Sequence, residues 1–231
     1  MPGHILLAGG AEFGGRMAEP DLRAIELAGG PDARISIIPA AAAPDRNHDR
    51  AGRNGVRWFE SLDARNVAAL PLIDRVSAES PAIAAALRES RLIYLLGGFT
   101  HYLGLALQGS ASWQAISAAH RAGAIVAGSS AGAMVLCQHY YNPESGQVAE
   151  GLGMVRNACV LPHHNSFGKS WAARLAALLP GSLLLGIDER TAMLDDGDSG
   201  AWRVYGQGAV TLYRDGEASA YTSGDQFSTG A

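Results

Sequence analysis

The sequence predicts an α/β fold: a three-layer αβα sandwich around a mostly parallel sheet, with an antiparallel β extension at its C-terminal end. Short apolar runs of strand length recur along the first two-thirds of the chain, separated by helix-like segments. Those runs are apolar throughout rather than alternating, as expected of parallel strands covered on both faces. After Thr191 the pattern changes to short segments broken by D-D-G-D-S-G, Y-G-Q-G and R-D-G-E, where Asp-Gly turns signal antiparallel hairpins.

The predicted strands are H-I-L-L-A (4–8), R-I-S-I-I-P (34–39), N-V-A-A-L-P-L (66–72), R-L-I-Y-L-L (91–96) and A-I-V-A (124–127), most of them ending in Gly or Pro. Between them D-L-R-A-I-E-L-A (21–28) reads as a helix closed by Gly29-Gly30. S-P-A-I-A-A-A-L-R-E-S (80–90) reads as a second helix, with Ser80 as N-cap and Pro81 at the first helical position. Strands alternating with helices imply right-handed parallel crossovers. Further on, N-A-C-V-L-P (157–162) and S-L-L-L-G-I (182–187) read as core strands flanking a helix over 169–179. The closing hairpins read as an edge extension of the same sheet. With 231 residues, no internal repeat and no low-complexity linker, the chain is expected to be one domain, 1–231.

Composition narrows the function. Hydrophobic residues are 48% and charged residues 17%, enough apolar material for a large core. The net charge of -4 without a basic run speaks against a nucleic-acid partner. No apolar stretch approaches the roughly 18 residues of a membrane span. The opening M-P-G-H-I-L-L-A-G-G lacks the positive region of a signal peptide, so a cytoplasmic protein is expected, and a homodimer is compatible with this composition. Cys137 and Cys159 lie in apolar contexts outside any C-x-x-C pair and read as buried free thiols.

In open α/β sheets ligands bind at the carboxyl ends of the strands. There the chain carries G-G-A-E-F-G-G, A-A-A-A-P-D, G-G-F-T, G-S-S-A-G, H-H-N and D-E-R-T-A, in order. G-S-S-A-G fits the strand–turn–helix pattern G-x-S-x-G, with Gly128, Ser129, Ser130, Ala131 and Gly132 in the five places and Ser130 at the centre. Small neighbours let a nucleophile sit on a sharp turn, and the N–H groups of the helix that follows favour an oxyanion. A tight turn with no chemistry has the same composition. A serine nucleophile needs a base, and of seven histidines only His163 and His164 directly follow a core strand. The pair also suggests a metal, but adjacent residues on a strand face opposite ways, and neither H-E-x-x-H nor a Cys cluster supplies further ligands. Asp188 or Glu189 can orient an imidazole, or simply cap a turn. Backbone N–H groups at Gly98 and Ala131 are candidate oxyanion donors. G-G-A-E-F-G-G does not match G-x-G-x-x-G, and no P-loop pattern occurs, so neither nucleotide nor any other cofactor is expected.

Taken together, G-G-A-E, I-I-P-A-A-A, Y-L-L-G-G, A-G-S-S-A-G-A-M, E-G-L-G-M (150–154), L-P-H-H (161–164) and G-I-D-E-R-T-A (186–192) resemble the dipeptidase E and cyanophycinase family of serine peptidases. That resemblance implies a class I glutamine amidotransferase-like fold with a flavodoxin-like sheet. It also implies Ser130 as nucleophile and His163 as base, with His164 the register alternative. In the cyanophycinase branch the third member is Glu189. The dipeptidase E branch has an acid shortly after the nucleophile, where this chain has Ser145 with Glu144 and Glu150 nearby. Two departures bear on specificity. The family's G-G-D-Q or G-G-N-Q is G-G-F-T here, and the basic run after the histidine is replaced by N-S-F-G-K-S-W. Phe99, Thr100 and His164 are the expected substrate contacts. The expected activity is hydrolysis of a peptide or amide bond in a small substrate. A non-catalytic binding module on the same fold is the alternative, and acyl transfer to another acceptor would use the same site. A thiol mechanism is disfavoured because Cys137 lies well beyond the turn.

Overall fold

In the computed structural model, which describes residues 2–229, β1 (Ile5–Ala8) sends Ile5 and Leu7 into one core and Leu6 and Ala8 into another. Met1, Gly230 and Ala231, at the ends of the expected 1–231 domain, lie outside the described residues. α1 (Ala18–Leu27) packs Ala24 and Ile25 against the second core. β2 (Ile35–Ile38) again divides its side chains, and α2 (His48–Ser61) contributes Phe59 to the same side as α1. β3 (Val67–Ala69) is short and largely exposed, and Pro71, which has no amide N–H to offer, follows it. A single turn, α3 (Arg75–Ala78), precedes α4 (Pro81–Glu89), which buries Ile83, Ala84 and Leu87 in the first core.

Pro81 takes the first helical position of α4 as its sequence predicts, but the Ser80 hydroxyl makes no capping bond. Each fully buried aliphatic side chain contributes about 1.5–3 kcal/mol, against about 1 kcal/mol for a cap. Burial of its apolar face therefore anchors this helix without the cap. β4 (Leu92–Leu95), α5 (Thr100–Leu107), α6 (Ala111–Arg121), β5 (Ile125–Ser129) and α7 (Ala131–Leu136) complete the layers. α5 and α6 cover the face already covered by α4, and α7 packs there as well. No helix among the described residues is long and apolar enough to cross a membrane.

The remaining strands are β6 (Cys137–Asn142), β7 (Gln147–Glu150) and β8 (Val155–Leu161). After them come α8 (Ala172–Leu178), β9 (Leu183–Ile187), β10 (Thr191–Leu194), β11 (Trp202–Gly206), β12 (Ala209–Arg214), β13 (Glu217–Thr222) and β14 (Gln226–Phe227). The first sheet has the order β14-β11-β10-β1-β5-β4-β2-β3. β1, β5, β4, β2 and β3 are parallel, and β10, β11 and β14 continue the sheet antiparallel beyond β1. From β2 onward the parallel order reads 2-1-3-4 as in flavodoxin, with β1 in the fifth place.

One expectation is corrected. The strands at 157–162 and 182–187 do not join the first sheet: as β8 and β9 they belong to a second sheet, β13-β12-β9-β8-β6-β7. The Asp-Gly turn of R-D-G-E does form the hairpin β12–β13, but that hairpin extends the second sheet through β9. The chain turns extended at Cys137, directly after α7, and β6 pairs with β8 in parallel and with β7 antiparallel. Val160, Leu161, Leu184 and Leu185 of the second sheet join the core that also holds α4–α7, so the two sheets share one apolar interior. Cys137 and Cys159 are buried free thiols there, and burial pushes both thiol pKa values up, that of Cys159 to about 12.

Candidate active site

β5 ends in Ser129, and α7 begins at Ala131, so a single residue, Ser130, makes the turn between them at φ 49 and ψ -110. A non-glycine residue in that region costs on the order of 1–3 kcal/mol and persists only when its surroundings enforce it. Here the enforcement is visible. A Cβ on Gly128 would lie 2.5 Å from the backbone of Gly132, and one on Gly132 would lie 2.2 Å from the Leu95 carbonyl oxygen. Neither position has room for a side chain, which is the physical reason for glycine at both ends of G-S-S-A-G. Ser129 is fully buried, and its hydroxyl donates to Glu12 Oε2 at 3.1 Å, whereas Ser130 Oγ lies 3.0 Å from His163 Nε2.

His163 comes from the loop after β8. Its Nδ1 lies 2.8 Å from Glu189 Oε1, from the loop after β9. An ionised carboxylate only accepts, so Nδ1 carries the proton and donates, which leaves Nε2 free to accept the Ser130 hydroxyl. The Glu189 N–H in turn donates to Asn165 Oδ1 at 3.1 Å. The loop after β1 ties these segments together through main chain. Ser130 N–H donates to the Ala8 carbonyl at 2.9 Å, His163 N–H to Gly9 at 2.8 Å and Arg190 N–H to Gly10 at 2.9 Å.

The two neighbouring histidines part company, though not by simple strand alternation. β8 has ended at Leu161, and His163 itself adopts φ 49. His164 is only 5% exposed, with Nε2 bonded to the Tyr213 hydroxyl at 2.8 Å and Nδ1 3.4 Å from Asp188 Oδ1. Burial lowers its pKa. Both ring nitrogens of His164, expected as a substrate contact, are occupied within the protein. The two acids divide likewise: Glu189 serves His163, and Asp188 faces His164 and accepts the Ala209 N–H at 2.9 Å. Glu144 and Glu150 make no bond to the His163 ring; Glu144 lines a hollow and Glu150 closes β7.

Among the described residues no acceptor takes the N–H of Gly98 or of Ala131. Gly97 packs beside the Ser130 turn, where an added Cβ would lie 3.3 Å from that of Ser130. Phe99 is half-buried and stands between two hollows. One, about 640 Å³, is lined by Pro44, Phe99, Thr100, Leu105, Pro143 and others. The other, about 270 Å³, includes Glu12, Asp45, Asn47, Arg50 and Asn54. Thr100 is 7% exposed and its hydroxyl donates to Met134 Sδ at 3.4 Å, so it shapes the first hollow as wall rather than as polar group. Among the described residues, no group of three or more His, Cys, Asp or Glu side chains is placed to hold a metal ion.

Sequence reasoning missed Gly10, Glu12, Asn165 and Phe167. G-G-A-E held the only available signal for the first two, since it falls at the carboxyl end of β1. Gly10 lies against the His163 imidazole, where a Cβ would come within 2.3 Å of Cε1. Phe167 stacks on the same imidazole, ring centroids 4.9 Å apart.

The family model of peptidase family S51 matches residues 5–201. The cyanophycinase of Trichormus variabilis (strain ATCC 29413 / PCC 7937) is 31% identical over 219 residues, covering 90% of this chain and 72% of that protein. The crystal structure of a peptidase from an acI-B1 Actinobacterium has a TM-score of 0.89 at 32% identity, with 99% of this chain and 97% of that one covered. A putative peptidase E protein from Listeria monocytogenes EGD-e shares the fold, with a TM-score of 0.63 at 17% identity over 96% of this chain and 99% of that one. A serine held on a strained turn within reach of a histidine fits that kinship, and the chain belongs to peptidase family S51, the dipeptidase E and cyanophycinase family of serine-type peptidases.

Proposed function

We propose that the chain hydrolyses a peptide or amide bond in a small substrate by way of Ser130, His163 and Glu189. The observation that carries this reading is the continuous relay from Ser130 Oγ to His163 Nε2 at 3.0 Å and from His163 Nδ1 to Glu189 Oε1 at 2.8 Å. Ser130 Oγ attacks the scissile carbonyl carbon as its proton passes to His163 Nε2. The resulting oxyanion is held by the N–H groups of Gly98 and Ala131, the second at the positive end of α7. The tetrahedral species collapses, the amine leaves with the proton from Nε2, and an ester remains on Ser130. Water then attacks that ester, passing a proton to Nε2. The acid departs, and Ser130 recovers its proton. Glu189 keeps Nδ1 protonated and stabilises the imidazolium in both halves.

The test is labelling by a fluorophosphonate probe together with a screen of dipeptides and isopeptides for amine release. Ser130 is expected to take the label. Ser130→Ala should lose both label and hydrolysis while keeping its Tm, because a small side chain still fits the turn. Ser129→Ala should retain measurable activity, since the Ser129 hydroxyl is committed to Glu12. Label on Ser129, or hydrolysis surviving in Ser130→Ala, would refute the assignment.

A further inference from the structure

The leaving amine must receive its proton from His163 Nε2, so the part of the substrate beyond the scissile bond has to lie beside that imidazole. Two groups pack against the imidazole in this structure: the backbone of Gly10, which leaves no room for a side chain, and the ring of Phe167, stacked at 4.9 Å and 26°. Phe167 is 50% exposed. A large aromatic ring with a purely structural task would be buried, because its exposed apolar area is unfavourable in water.

Behind Phe167 the packing stays aromatic. Trp171 lies 5.4 Å from it, and Tyr141 lies 4.9 Å from Trp171. The cations nearby, Lys169 and Arg174, are exposed, and Arg174 lies over the Tyr141 ring at 5.6 Å. Phe167 is also held rigidly relative to His163. Ser166 N–H and Gly168 N–H both donate to the His163 carbonyl, at 2.9 and 3.0 Å, and the Ser166 hydroxyl donates there at 3.0 Å. Gly168 is pressed against the Pro162 carbonyl so closely that a Cβ would lie 1.9 Å from it. The loop is thereby closed on itself, with the half-exposed aromatic ring stacked on the face of the imidazole. A rigid, preformed apolar surface recognises an apolar group at little ordering cost.

We propose that Phe167, backed by Trp171, is the leaving-group subsite, selecting substrates whose residue after the scissile bond is apolar or aromatic. This rests on the reading of Ser130 and His163 given above. It concerns the residue after the scissile bond.

The experiment uses the full chain and a set of dipeptides that share one N-terminal residue taken from the screen and end in Phe, Leu, Ala, Gly or Glu. Fluorophosphonate labelling counts the working sites in each preparation. Wild type is expected to cleave the Phe and Leu members with kcat/KM about tenfold or more above the Gly member, with Glu lowest. Phe167→Ala should bring the Phe, Leu and Gly members to within about threefold of one another. Phe167→Lys should raise the Glu member above the Leu member. Labelled wild type with a flat ranking, or with Glu preferred, overturns this inference and leaves the hydrolase reading standing. So does a ranking that Phe167→Ala and Phe167→Lys leave unmoved. Wild type that neither takes the label nor cleaves any member overturns the hydrolase reading and this inference with it.

Discussion

Gly10→Ala tests whether the close fit around His163 sets the rate. The new methyl group would stand 2.3 Å from His163 Cε1 and 2.7 Å from Nε2, where ordinary contact needs 3.4–4 Å. Because Gly10 lies on main chain bonded to Arg190, and its neighbour Gly9 is bonded to His163, the imidazole is the part free to yield. It must move by roughly 1 Å, and a displacement of that size between reacting groups costs about 10²-fold in rate. Gly10 also has φ +123, so alanine there adds backbone strain of about 1–3 kcal/mol. Both effects are separable by experiment. Fluorophosphonate labelling rate and kcat/KM report the imidazole, and thermal unfolding reports the strain. Gly14→Ala is the control, because nothing lies within 4 Å of a Cβ there. A folded Gly10→Ala protein with wild-type kcat/KM would refute the placement of His163 as the base beside Ser130.

Three further predictions follow from neighbouring groups. His163→Ala should abolish turnover with little change in Tm, whereas His164→Ala should lower stability by about 1–3 kcal/mol through the Tyr213 hydroxyl left without its partner and the lost contact to Asp188, and keep measurable turnover; equal loss of activity in both would count against the relay. Asp21 is fully buried, accepts the Trp58 indole N–H at 2.7 Å, and burial raises its pKa to about 8 from 3.8. Between those pH values the unfolded chain ionises and the folded one does not, so stability is lost as pH rises, and the Tm advantage of Asp21→Asn should grow from pH 4 to pH 8; an advantage that shrinks with pH refutes this. Phe99 presents an aromatic wall where the family commonly carries polar side chains, so aspartyl dipeptides and β-aspartyl-arginine bonds should be cleaved about tenfold or more worse than uncharged counterparts. A clear aspartyl preference would overturn that expectation, and its loss in Arg50→Gln would place the charged group in the smaller hollow.

The first sheet was legible because each of its central strands is apolar on both faces, and a continuous apolar run of strand length has few other uses. The second sheet was not, and β6 shows why. It follows α7 with no Gly or Pro between Leu136 and Cys137, so M-V-L-C-Q-H-Y-Y-N contains no punctuation where helix becomes strand. Pairing with β8 and β7, which is tertiary, decides the conformation there. At the site, Ser130 could be read from its two glycines because the turn excludes any side chain at both. The choice of His163 over His164 came from the family resemblance, since strand alternation says only that the two side chains face opposite ways, and the separation in the structure comes from a left-handed residue just past the strand end. Phe167 gave no local sign, since what distinguishes it is exposure beside an imidazole, a relation between loop and strand end.

The way the segments are joined also explains how this chain can depart from its family in G-G-F-T and N-S-F-G-K-S-W and still hold Ser130, His163 and Glu189 in register. The relay spans two sheets, with Ser130 on the first and the loops of His163 and Glu189 on the second. It is fixed by carbonyl groups of Ala8, Gly9 and Gly10, consecutive residues at the end of one strand. These bonds run from main chain to main chain and ask nothing of the side chains at 99 and 100, while Asn165 and Phe167 add side-chain contacts to the Glu189 N–H and the His163 ring. A change from polar to aromatic at 99 or 100 therefore reshapes the walls of the two hollows and leaves the main-chain bonds that place Ser130, His163 and Glu189 alone. That geometry is tied to the small residues 128, 132 and 10, where any added carbon meets backbone or the His163 ring itself.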